Sequence, residues 1–107
     1  MGRPRKIVAA VGRDEVLANP EQAGLRLQLC HALNELLDQR KITQTAAAQV
    51  MGVHQSAVSK LKGYHVEKFS VERLLRLIAA LGPDVAIEIR PRAGATDAGR
   101  VKVVGVG

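Results

Sequence analysis

The segment Thr43–Lys62, TQTAAAQVMGVHQSAVSKLK, constrains the fold more than any other stretch of the chain. Thr43 suits a helix N-cap, because its hydroxyl oxygen can accept a backbone N–H two or three residues on. Gln44 to Met51 follows, rich in helix-forming residues and with consecutive alanines at Ala46, Ala47 and Ala48. Gly52 ends it, since so sharp a turn needs a residue at positive φ, which glycine adopts without a Cβ clash. The spacing then predicts a second helix over Gln55 to Lys62. Val58 and Leu61 lie three apart and share its inner face, while Gln55, Ser56, Ser59 and Lys60 fall on the other.

Ala47 and Ala48 are small where two helices must cross closely, and Val53 is placed as a buried plug between them. This is the pattern of a helix-turn-helix whose second helix enters the major groove of DNA. The outer face of that helix carries amides, hydroxyls and an amine, the groups that read base edges. Charge agrees. No Asp or Glu occurs from Gln39 through Val66, whereas Arg40, Lys41, Lys60 and Lys62 lie inside that window. Phosphate repels carboxylate, and a helical hairpin that merely faced solvent would normally mix both signs.

Composition narrows the partner. A chain of 107 residues suggests one domain, and its net charge of +6 favours a polyanion. Tyr64 and Phe69 are its aromatic residues, with no Trp, so a stacking platform for single strands cannot be built and duplex DNA is expected. No apolar run is long enough to cross a membrane, and the basic N-terminus lacks the apolar stretch of a signal peptide. Cys30 is the single cysteine, which fits a reducing cytoplasm.

Along the chain, residues 1–18 read as a flexible basic N-terminal arm. Gly2-Arg3-Pro4 resembles a minor-groove AT-hook, so Arg3 and Arg5 are candidate DNA contacts. Ile7 to Ala18 shows no clean period. Asn19-Pro20-Glu21-Gln22 has the features of a helix start. That helix should run to Gln39 or Arg40, burying Leu25, Leu29, Ala32, Leu33, Leu36 and Leu37, with Leu27 and Cys30 on the edge of the stripe. Ser70 caps a further helix, Val71 to Leu81, with Phe69 stapling it and Gly82-Pro83 ending it. Val85 to Ile89, VAIEI, alternates as a strand, and the compact part of the chain offers it no partner. Two readings follow. Either two copies pair these strands antiparallel across a dimer through Val85, Ile87 and Ile89, or Val101 to Val106 folds back as a hairpin. Residues 19–92 thus form the DNA-binding domain with its dimerisation strand, and residues 93–107 a glycine-rich mobile tail.

These blocks together resemble small bacterial regulators of the Xre/Cro/C1 helix-turn-helix class, and within it the subgroup of HigA-like antitoxins. The likeness spans roughly Asn19 to Arg92 and rests on NPEQ, TQTAAAQVMGVHQSAVSKLKG, FSVERLLRLIAALG and VAIEIRP. It implies an all-α, lambda-repressor-like domain of four to five helices, with a C-terminal strand pairing across a dimer. Carried over, Gln44 stands at a phosphate, Gln55 and Ser56 at base edges, Ser59 and Lys60 further along, and Lys62 at the backbone, with Thr43 and His54 as further candidate DNA contacts. Two positions depart from the family. Lys41 stands where a turn glycine is usual, implying a strain of about 1 kcal/mol. His54 stands where the recognition helix usually has a Ser or Thr cap.

The resemblance implies a sequence-specific repressor acting as a homodimer on an inverted repeat of double-stranded DNA. A compatible alternative is an antitoxin that also binds a ribonuclease-like toxin and represses its own operon. An enzyme is not expected. His31, His54 and His65 sit on different elements, no carboxylate pair or phosphate-binding glycine loop is present, and neither a metal nor another cofactor is called for.

Overall fold

The computed structural model describes residues 6–10 and 21–104. In chain order these form β1 (Lys6–Ala10), α1 (Glu21–Arg40), α2 (Gln44–Met51), α3 (Gln55–Lys62), α4 (Val71–Ala80), β2 (Asp84–Glu88) and β3 (Lys102–Val104). The helices carry the fold, as expected. Leu29 and Leu33 of α1, Val58 and Leu61 of α3, and Leu74 and Ile78 of α4 are fully buried against one another. Ala47 and Ala48 are buried too, so the small residues do sit where α2 meets the body.

Local chemistry sets the helix ends. Thr43 Oγ1 accepts the Ala46 N–H at 3.0 Å, and Ser70 Oγ accepts the Arg73 N–H at 3.0 Å. Gly52 has φ 68°; its N–H bonds to Gln49 O, and the Val53 N–H bonds to Ala48 O. That is a Schellman closure, which the left-handed residue makes possible. Lys41 ends α1 in the same region, at φ 53°, with its N–H 3.1 Å from Leu37 O. Phe69 is buried ahead of α4, and the Arg73 guanidinium lies 4.7 Å from its ring centroid.

Three sequence expectations are corrected. Cys30 is not on the edge of the α1 stripe but fully buried, because the C-terminal end of α3 covers that side of the helix. Within the segment read as a flexible arm, Lys6–Ala10 is the central strand of a sheet ordered β2-β1-β3. Within the segment read as a mobile tail, Lys102–Val104 is the third strand. β2 therefore has a partner in its own chain. It pairs parallel to β1 with Ile7 opposite Val85 and Ala9 opposite Ile87, while β3 runs antiparallel to β1 rather than forming a hairpin with β2. The physical reason is that a lone strand leaves a row of backbone donors and acceptors unmet. A parallel partner demands a long crossover, and the whole helical body supplies it. Arg3, Arg5, Asn19 and Pro20 lie outside the described residues.

Candidate nucleic-acid interface

The turn between α2 and α3 holds the two helices so that α3 presents one face to solvent. Val58 and Leu61 are buried beneath it, and Gln55, Ser56, Ser59 and Lys60 are all exposed on the other side. The inner and outer faces are thus those read from the spacing. Neither α2 nor α3 has an acidic residue in its first turn, whereas α4 has Glu72 there. The positive ends of the α2 and α3 dipoles are left uncompensated, which suits an anionic partner.

His54 caps α3. Its Nδ1 accepts the Ser56 backbone N–H at 3.1 Å and lies 3.0 Å from Ser56 Oγ. A nitrogen that accepts a backbone N–H carries no proton, so the Ser56 hydroxyl donates to it and keeps its oxygen lone pairs outward. In that neutral tautomer Nε2 bears the ring proton, available to a phosphate oxygen.

A second group of candidates gathers at the start of α2. Thr43, Gln44, Lys41 and Lys62 line a cleft of about 170 Å³ between α1, α2 and α3, with Asp38 at its wall. Thr43 and Gln44 are exposed, Thr43 with its Oγ1 engaged as the cap. Lys62 does not stand alone: its Nζ is 3.0 Å from Asp38 Oδ1. That carboxylate sits one residue before the acid-free window, and helix packing returns it to the site. Lys41, met in the sequence as a turn residue, is an exposed cation of the cleft. The basic cluster at Arg40 and Lys41 was the signal available for it.

The dimerisation candidates divide. Val85 is half-buried and packs against the core, while Ile87 is 64% and Ile89 76% exposed. Ile87 shares a strand face with Val85, and Ile89 lies one residue beyond the end of β2. Among the described residues no group of His, Cys, Asp and Glu is arranged to hold a metal ion, and no helix is long and apolar enough to cross a membrane.

A family model described as a helix-turn-helix domain matches residues 11–90. A solved structure named provisionally as an XRE-family transcriptional regulator is 41% identical to this chain, with a TM-score of 0.77; the match covers 81% of this chain and 98% of that one. A search of curated proteins finds no match.

Proposed function

The chain belongs to the Xre-type helix-turn-helix family of DNA-binding transcriptional regulators, and on that premise we propose that it acts as a repressor, as a homodimer on an inverted repeat. The observation that carries this reading is the outer face of α3, where Gln55, Ser56, Ser59 and Lys60 are exposed together over a buried Val58 and Leu61. An amide can pair with adenine N6 and N7 at once, and a serine oxygen left as acceptor favours a base amino group. The Lys41, Thr43, Gln44 and His54 groups supply phosphate contacts around it, which orient without specifying. Arg3 and Arg5 add a minor-groove arm. The chain works by binding, without catalysis.

The dimer rests on the sheet. β2 is an edge strand, and its side away from β1 carries no strand among the described residues. The other edge is treated differently: the Val103 N–H of β3 donates to Gln28 Oε1 of α1 at 2.7 Å. An open edge with Ile87 and Ile89 beside it is an aggregation hazard unless covered, and a second copy related by a two-fold axis covers it. That axis sets two α3 helices about one DNA turn apart, roughly 34 Å.

Selection of duplexes from a random pool tests the reading. The enriched sequences should share one motif repeated in inverted orientation. Enrichment without a common motif refutes sequence-specific binding, and a motif lacking two-fold symmetry refutes the dimer.

The antitoxin alternative asks for a second surface. A groove of about 500 Å³ between α1 and β3, lined by Leu27, Ala32, Val103 and Val104 together with the polar His31 and Glu35, supports it as a place for a ribonuclease-like toxin. An adjacent reading frame for such a toxin would favour this version; its absence would remove the reason for it.

A further inference from the structure

We infer that Asn34, deep in α1, is a positioning residue for base recognition: it sets the angle of α3 by holding the Leu61 carbonyl in that helix's last turn. This inference rests on the DNA-reading role proposed for α3.

The anchorage of α3 is small. The helix has eight residues and buries Val58 and Leu61. Apolar burial is not directional, so Val58, Leu61 and the partly buried Ala57 hold the helix down without fixing its roll, and the Lys62–Asp38 pair joins it to α1 only through solvent-exposed side chains. Hydrogen bonds are directional, and α1 supplies two to one carbonyl. Asn34 Nδ2 donates to Leu61 O at 2.9 Å, and the Cys30 thiol lies 3.1 Å from the same oxygen. Asn34 Nδ2 also donates to Cys30 O at 3.1 Å. The two residues are four apart on α1, so their side chains sit one above the other on a single face. Burial pushes the Cys30 thiol up to about 11, which keeps its proton in place as a donor. α1 itself is fixed by Leu29 and Leu33, so its grip has a rigid base.

Stability alone does not account for an amide here. Asn34 is 5% exposed, and its Oδ1 has no hydrogen-bond partner among the described residues. A half-satisfied buried amide is a poor stabiliser compared with an apolar side chain. Direction is what it adds. Side-chain ends lie about 5–6 Å from a helix axis, so a roll of roughly 10° moves them by about 1 Å. Base-edge contacts tolerate about half of that. Phosphate attraction, being long-ranged, tolerates it easily.

The test uses the full chain and two variants, Asn34→Leu and Asn34→Ala, neither of which can donate. The probes are the duplex enriched by the wild type from a random pool and a shuffled duplex of the same length, at one salt concentration. Kd is measured on both, with a thermal melt for each protein. The expected result is about a tenfold weaker Kd on the enriched duplex and less than about a twofold change on the shuffled one, the size of losing one aligned base contact. A reduced folded fraction would weaken both equally and leave their ratio unmoved. An unmoved ratio in either folded variant overturns the inference while leaving sequence-specific binding standing. Failure of both variants to fold makes Asn34 a core residue and overturns it too. A wild type that enriches no motif overturns the DNA-reading role itself, and this inference with it.

Discussion

Replacing Lys41 by glycine should make the protein more stable although it removes a side chain. Lys41 closes α1 at φ 53°, where its Cβ crowds the following carbonyl. A non-glycine residue in that region costs roughly 1–2 kcal/mol, and the extra freedom of glycine in the unfolded chain offsets roughly 0.5–1 of it. The net gain is about 0.5–1 kcal/mol, which for a domain of this size raises Tm by about 3–6 °C. The backbone bonds from the Lys41 N–H to Leu37 O and Asp38 O are kept. Lys41→Ala is the control. It removes the same charge but retains Cβ, so its Tm should stay near that of the wild type. Melting curves followed by circular dichroism, at one salt concentration, compare the three proteins. A glycine variant no more stable than the alanine variant would refute the backbone argument. A second readout separates the charge: if Lys41 meets a phosphate, both variants should flatten the salt dependence of DNA binding by about 0.9.

Gln55→Ala should weaken binding to the selected duplex by about 1–3 kcal/mol and leave a shuffled duplex almost unaffected; equal losses on both would make Gln55 an orienting contact only. His54→Ala should cost about 1 kcal/mol of stability through the lost cap, while His54→Asn, which supplies a side-chain oxygen as acceptor in place of Nδ1, should cost much less in the same melts. Ile87→Glu combined with Ile89→Glu should leave the monomer fold intact and abolish the dimer in sedimentation equilibrium, because both side chains are exposed in the single chain. Persistence of a dimer would place the interface elsewhere.

The recognition unit was legible in the sequence because its determinants are local. Thr43, Gly52 and Ser70 act on backbone groups within a few positions, and the structure places each at the helix end read for it. The two departures from the family pattern were legible for the same reason: Lys41 takes the left-handed turn, and His54 takes the cap. What was not legible depended on distant partners. Cys30 lies near the boundary of the α1 stripe, and only the landing place of α3 decides that it is fully buried. Lys62 meets Asp38, 24 positions earlier, which no window around the recognition helix contains. The stretch KIVAA shows no alternation, so nothing in it marked a strand; its role comes from the open edge of β2.

The central place of β1 also governs the order in which the molecule can assemble. Lys6 pairs with Asp84, 78 positions later, and Val8 with Val104, 96 positions later, so the most sequence-distant strand pairings among the described residues belong to β1. Contacts among consecutive helices close short loops and form early, whereas pairings of high contact order form late. During synthesis the first strand must wait until every helix has left the ribosome before its neighbour exists. The helix-turn-helix is thereby completed before the sheet, and in a nascent chain the outer face of α3 is in place before β1 has either of its neighbours.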